Sequence, residues 1–186
     1  MKNKKLAVIT VNYNNKKDTD DFIRSCGKQT CHDYKIYVID VSDEKKYTTL
    51  KDVEVIDIKN NGYANALNIG IREALEDGFS RFVCVNNDVL VSNTFFENVL
   101  KSFEKHEGAL IGGKIYYAGG FEYHKDRYKK EDLGKVLWYA GGSLDWKNAY
   151  VFHRGVDEVD TGAYDACDET DFITGCLLCF DKKLLQ

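Results

Sequence analysis

The chain has 186 residues, 44% of them apolar and 13% aromatic, and carries a net charge of −4. That length holds one domain with a substantial core. Lys and Arg are spread along the chain rather than clustered, which argues against nucleic acid as a partner, and no apolar run reaches the length of a membrane span.

The start from Met1 to Lys5 is charged. The apolar stretch Leu6 to Val11 is too short for a signal peptide and soon meets Asn12 and Asn14, so a cytoplasmic protein is expected. Leu6 to Val11 is continuously apolar, the pattern of a strand buried on both faces. Asp18 is placed to cap a helix that carries Phe22, Ile23 and Cys26 on one stripe. Ile36 to Asp40 reads as a second buried strand ending in a carboxylate, and Val53 to Ile58 as a third. Asn60 to Gly62 is a turn signal. From Tyr63 the stripe Ala64, Leu67, Ile71 and Leu75 marks a helix stopped by Gly78. Arg81 to Val85 is a fourth strand, ending in Asn86, Asn87 and Asp88. Phe96, Val99, Leu100 and Phe103 mark another helix, closed near Gly108.

Strands alternating with helices imply a three-layer α/β sandwich with a mostly parallel sheet. In such sheets ligands sit beyond the carboxyl ends of the strands, where the strand order reverses. The polar residues expected to gather on that edge are Asn12, Tyr13, Asn14, Asp40 and Asp88. Past Gly108, Ala109 to Tyr117 and Leu137 to Trp146 read as strands, and Phe172 to Phe180 as a last buried one. The charged stretch Phe121 to Leu133 reads as a loop or lid. With no repeat or linker, the second half reads as a continuation of the same domain. The six cysteines read as reduced and mostly buried; Cys176 and Cys179 have CxxC spacing on an apolar strand, where they would face opposite sides.

Asp88 is the sharpest chemical signal. Either it supplies a ligand to a hard cation such as Mg²⁺ or Mn²⁺, which takes few carboxylates and shares phosphate oxygens, or it caps the following turn. Asp40 either accepts a hydrogen bond from a base or a ribose, or caps a turn beside Ser42 and Asp43. The turn and helix start around Asn61 and Gly62 would offer backbone N–H groups to a diphosphate. Asn65 and Asn68 share a helical face there, which points to packing against polar groups. Arg154 could pair with a phosphate and His153 could ligate a metal, or both lie on a solvated loop. Asp165, Asp168, Glu169 and Asp171 form an acidic cluster that either holds a general base or is a solvated loop.

Taken in order, several segments resemble glycosyltransferase family two, in its rhamnosyltransferase-like branch. They are Val8 to Asn14, Gln29 and Thr30 ahead of Ile36 to Asp40, Asn61 to Gly70, Val85 to Asp88, Tyr139 to Asp145 and Glu169 to Cys176. The resemblance implies the GT-A fold over a single domain, 1–186. Its first half, 1–108, would bind a nucleotide sugar, and 109–186 would begin an acceptor-binding half. Thr10, Val11, Asn12 and Tyr13 would then line the nucleotide pocket, and Asp40 would hydrogen-bond the base or ribose. Asn61 to Asn68 would support the base and diphosphate. Asn86, Asn87 and Asp88 stand where the family carries a DxD-type motif; Asn86 replaces its first carboxylate, so Asp88 alone would hold Mg²⁺ or Mn²⁺.

The implied reaction is an inverting transfer of a sugar from a dTDP- or UDP-type donor to a saccharide or lipid-linked acceptor, in cell-surface polysaccharide synthesis. Peripheral association of the full-length enzyme with a membrane is part of that expectation. Asp171 would lie toward the acceptor. The family's general base is expected past Gln186, so the resemblance leads one to expect donor binding with little transfer. A sheet edge left exposed by such a truncation could pair with a second copy. Two other readings lose ground: a nicotinamide-dependent oxidoreductase and a nucleotidyltransferase both need a Gly-rich turn after the first strand, where this chain has Asn12 to Asn15. A nucleotide-sugar-binding domain without catalysis is the remaining alternative.

Overall fold

The computed structural model describes residues 5–44 and 52–185. The charged start before Lys5 and the end at Gln186 lie outside the described residues. The chain divides into two compact units: residues 1–111 with 175–186, and residues 112–174.

The first unit is built on a five-stranded sheet with the order β3-β2-β1-β4-β9. Its strands are β1 (Leu6–Asn12), β2 (Tyr34–Asp40), β3 (Val53–Asp57), β4 (Arg81–Val85) and β9 (Leu177–Asp181). The first four run parallel and β9 pairs antiparallel to β4. Every residue of β1 is buried, as its unbroken apolar run requires of the central strand. The alternating residues of β1 and β2 split into two cores. Ala7, Ile9, Val11, Tyr37 and Ile39 pack with helix α2 (Tyr63–Glu76) in one cluster. On the opposite face, Tyr34 meets Phe96 of helix α3 (Phe95–Lys105) and donates its hydroxyl to the Cys26 carbonyl at the end of α1 (Lys16–Cys26). Helices therefore cover both faces, and the sandwich has three layers.

Several local details differ from the sequence reading. Asn15, not Asp18, caps α1, because its side chain reaches the Asp18 N–H while Asp18 already lies within the first turn. The buried face of α2 is Ala66, Leu67, Gly70 and Ala74 rather than the stripe through Ala64 and Leu75. The helix lies so close to the sheet that a Cβ on Gly70 would come within 2.6 Å of Ile9. Three of the four buried positions are small; Leu67 of the expected stripe is the fourth, and Ile71 packs partly against the same core.

The second unit, residues 112–174, carries two small antiparallel sheets. One pairs β5 (Ile115–Tyr116) with β6 (Leu137–Tyr139), the other β7 (Gly142–Asp145) with β8 (Tyr150–His153). The expected strand Ala109 to Tyr117 thus shrinks to two residues, apart from a bridge between Ile111 and Cys179 in the first unit. The expected strand Leu137 to Trp146 breaks between Tyr139 and Gly142, where Gly141 adopts φ 108°, open to glycine at low cost. The last strand begins at Leu177, so Cys176 precedes it. Cys26, Cys84 and Cys179 are buried, whereas Cys167 is exposed.

The stretch from Phe121 to Leu133 is a loop with two short helical turns. Glu122 at its start is 1% exposed and accepts the N–H groups of Gly120 and Gly134 at 2.8 and 2.7 Å. This carboxylate clamps the two ends of the loop together. Its neighbours Phe121 and Tyr123 point outward, as alternation along an extended segment demands. No helix among the described residues is long and apolar enough to cross a membrane.

Candidate functional site

In the first unit the strand order reverses between β1 and β4, and the polar strand ends meet on that edge. Asn12 closes β1 and is 2% exposed. Its side-chain amide donates to Asp40 Oδ1 at 3.0 Å and to Ser42 Oγ at 2.9 Å. Its carbonyl oxygen accepts from the Thr19 hydroxyl at 3.0 Å and from the Asn15 N–H at 3.3 Å. Ser42 in turn accepts the Asn14 N–H at 2.8 Å. Asn14 has φ 53°, a left-handed geometry that asparagine tolerates, and its side chain exchanges hydrogen bonds with Asp43. The loops after β1 and β2 are thereby tied into one polar ridge.

The loop after β4 joins the same network. Asn87 donates its amide to the Thr19 hydroxyl at 2.9 Å, so Thr19 links Asn87 to Asn12. Asn86 donates its N–H to the Cys176 carbonyl, and its side-chain oxygen accepts the Tyr63 hydroxyl at 2.9 Å. Burial of that hydroxyl, with Cys84, Cys176 and Asp88 nearby, pushes its pKa up to about 12, so Tyr63 stays protonated and remains a donor. Tyr63 opens α2. Gly62 before it has φ 97° and makes no side-chain cap, leaving the first N–H groups of α2 without an intrahelical partner. Asp88 is exposed, and among the described residues its carboxylate makes no hydrogen bond or ion pair.

Two adjoining clefts open on this edge. One of about 510 Å³ runs along Val41 to Asp43 and Asp57 to Asn60. The other, of about 360 Å³, is lined by Asn12, Asn14, Lys16, Ser42, Asp43 and Glu44.

The structure brings together Asn12, Asp40, Asn86 and Asn87 with the start of α2, and leaves Tyr13, Asn61, Asn65, Asn68 and Asp88 exposed. Thr10 does not line a surface: it is fully buried in β1, its hydroxyl without a partner among the described residues. Val11 is buried in the α2 core. Asp40 is also fully buried; its Oδ1 takes the Asn12 amide and the Ser42 N–H, so it anchors the ridge rather than facing outward. Asn65 and Asn68 do not pack against polar groups but face solvent, because α2 is rotated relative to the expected stripe. Thr19 and Tyr63 were not foreseen. A β-branched hydroxyl on the apolar stripe of Phe22 and Cys26 was the available signal for Thr19.

The remaining candidates lie in the second unit, and each has a local role there. His153 packs edge-on against Trp138 and Tyr139, with Nδ1 at 3.1 Å from the Trp138 carbonyl, so it is part of an aromatic cluster. Arg154 pairs with Asp168 at 3.1 Å and lies over Gly141, where a Cβ would come within 2.4 Å of the guanidinium. Asp165 pairs with Lys114 at 2.5 Å. Asp171 Oδ2 accepts the Leu144 N–H at 2.9 Å. Lys114, the Tyr116 hydroxyl and the Gly162 N–H pull Asp160 down to about 2. All four members of the acidic cluster are exposed, as a solvated loop requires, and Asp165, Asp168 and Asp171 each make one local contact as well.

A divalent cation fits this donor set in one way. Among the described residues no group of three or more His, Cys, Asp and Glu side chains could hold a metal. Among the described residues Asp88 offers a free carboxylate at the edge, which suits Mg²⁺ or Mn²⁺ where waters and ligand phosphate oxygens complete the shell.

Comparison with known proteins agrees with this architecture. A dTDP-rhamnosyl transferase, RfbF of Shigella flexneri, is 26% identical over 167 residues, covering 82% of this chain and 53% of that protein. The chain therefore spans about half the length of that curated relative. Mannosyltransferase PcManGT from Pyrobaculum calidifontis, solved with GDP-Man and Mn²⁺, superposes with a TM-score of 0.58 at 15% identity, covering 97% of this chain and 45% of that one. TarS of S. aureus, residues 1-349 with UDP-GlcNAc, gives a TM-score of 0.53 at 18% identity over 62% of this chain and 36% of that one. These two likenesses establish the shared fold. The profile of Glycosyl transferase family 2 matches residues 7–170, and the chain belongs to that family.

Proposed function

We propose that this chain binds a nucleoside-diphosphate sugar of dTDP or UDP type on the carboxyl edge of β1, β2 and β4. The protein it represents would transfer the sugar, with inversion, to a saccharide or lipid-linked acceptor of cell-surface polysaccharide. The observation that carries this reading is the switch-point edge. There a tied polar ridge, the uncapped start of α2 and the unpaired carboxylate of Asp88 lie within one unit.

Each residue has a task in that reading. The exposed ring of Tyr13 offers a stacking surface for the base. Asp40 and Asn12 hold the ridge that shapes the base pocket. The first N–H groups of α2, after Asn61 and Gly62, face the diphosphate. Asp88 holds Mg²⁺ or Mn²⁺ against the phosphate oxygens. The cation, when bound, supplies Lewis-acid stabilisation of the charge that grows on the leaving diphosphate. The dTDP-rhamnosyl transferase relative and the UDP-GlcNAc-bound neighbour support a nucleotide sugar as the ligand class.

Calorimetric titration with UDP and with dTDP, each with Mn²⁺ and with chelator, tests the proposal. Saturable binding of at least one, strengthened by Mn²⁺, is expected. Absence of binding by both nucleotides in the presence of Mn²⁺ would overturn it.

A further inference from the structure

The hairpin of β7 and β8 is anchored to the second unit through one of its two faces. Side chains alternate along a strand, so Val151 and His153 point one way, and Tyr150 and Phe152 the other. At the base of the hairpin His153 packs edge-on against Trp138 and Tyr139, with ring centroids 4.6 and 5.0 Å away. Its cross-strand partner Gly142 has the Phe172 ring where a Cβ would stand. The opposite face carries Tyr150 and Phe152, which are 63% and 46% exposed. Their rings lie nearly parallel, at 22° between planes and 6.3 Å between centroids. Trp146, in the turn between the strands, is 84% exposed. Large aromatic rings gathered in water on one short hairpin mark a binding surface.

Polar groups share that face. Cross-strand partners point to the same side, so Ser143 stands beside Phe152, and Asp145 beside Tyr150. The Ser143 hydroxyl makes no hydrogen bond among the described residues. Asp145 accepts the Asn148 amide and the Asn148 and Lys147 N–H groups, which hold it ionised and leave room for a further donor. Over residues 143–152 the charge of Asp145 is balanced by Lys147, so the hairpin has no net charge to draw an anionic lipid surface. A purely apolar partner would desolvate Ser143 and Asp145 without replacing their water. A sugar ring suits both sets of groups. Its face of C–H bonds fits the negative face of an aromatic ring, and the hydroxyls at its rim serve a carboxylate and a serine.

We propose that this face is a glycan-binding platform, on which neutral sugar rings of an oligosaccharide stack against Tyr150 and Phe152 while Ser143 and Asp145 hold their hydroxyls. All of these residues belong to the second unit, whereas the nucleotide edge belongs to the first. The inference rests on the saccharide chemistry of the reading above and gives the saccharide a surface of its own.

The test is binding of the whole chain to an array of neutral oligosaccharides, including rhamnose- and N-acetylglucosamine-containing chains. The best binder is then titrated into wild type, Tyr150→Leu, Phe152→Leu and Tyr150→Phe. Wild type is expected to bind at least one glycan. Leucine keeps an apolar side chain but removes the ring face, so each leucine variant should bind about tenfold more weakly, while Tyr150→Phe stays within about twofold. Both positions are exposed, so the melting temperature should stay at the wild-type value. Wild type that binds no glycan overturns the proposal. So does glycan binding that the leucine variants leave unchanged. Wild type that binds phosphatidylglycerol vesicles and no glycan makes the face a membrane contact and overturns it too. Glycan binding that follows the variants as expected, with UDP and dTDP both failing to bind in Mn²⁺, supports the platform and removes the donor reading alone.

Discussion

Replacing Asp88 with alanine is expected to leave the fold intact and to erase the gain in nucleotide affinity that Mn²⁺ provides. Asp88 is exposed and makes no hydrogen bond or ion pair among the described residues, so its removal strands no partner. Its loss removes, among the described residues, the one exposed carboxylate at the end of β4 that makes no hydrogen bond or ion pair. No group of three or more His, Cys, Asp and Glu side chains among the described residues can take its place. A cation held by one carboxylate and the diphosphate loses its protein anchor, and affinity in Mn²⁺ should fall about a hundredfold, equal to about 2.7 kcal/mol. The variant in Mn²⁺ should then bind like wild type in chelator. Calorimetry in both conditions reads this directly. A variant that keeps the full Mn²⁺ effect would show that the cation binds elsewhere.

Asn12→Leu is expected to be the most damaging single change to the ridge. Leucine has a similar volume but none of the amide's bonds. Asp40 and Ser42 each lose one of their donors, Thr19 loses one of its two acceptors, and the Asn15 N–H loses its acceptor, all in one step. Asp40 is fully buried, so water cannot replace the missing amide without opening the sheet edge. Losing four hydrogen bonds, one of them to a buried carboxylate, should cost about 3 kcal/mol. For a chain of this size that lowers the melting temperature by about 10 °C. Thr19→Val removes one link of the same network and should cost about half as much. Thermal unfolding followed by circular dichroism measures both. If Asn12→Leu melts with the wild type, the ridge is not what holds these loops.

The first unit was legible in the sequence because its signals are local. The unbroken apolar run of β1, the carboxylate at the end of β2, the turn before Tyr63 and the asparagines after β4 lie where the strands and helices begin and end. The face of α2 was misread for a physical reason. Where a helix lies close to a sheet, small residues make most of the contact: Ala66, Gly70 and Ala74 join Leu67 there, and Leu75 falls to the side. In the second unit the determinants are long-range. Asp165 finds Lys114, Asp168 finds Arg154 and Asp171 finds the Leu144 N–H, pairings that no local pattern announces. The same holds for the link from Thr19 to Asn87, 68 residues on, which closes only at the switch point.

The central claim, that the carboxyl edge of β1, β2 and β4 holds a nucleotide diphosphate with a cation at Asp88, has a direct test in backbone amide NMR. UDP or dTDP with Mg²⁺ would be added first, and traces of Mn²⁺ afterwards. The predicted result is that amide shifts concentrate at Tyr13 to Asn15, Ser42 to Glu44, Gly62 to Asn65 and Asn86 to Val89, and that Mn²⁺ broadening centres on Asp88. Shifts and broadening centred on any other part of the chain, with this edge unmoved, would contradict the account.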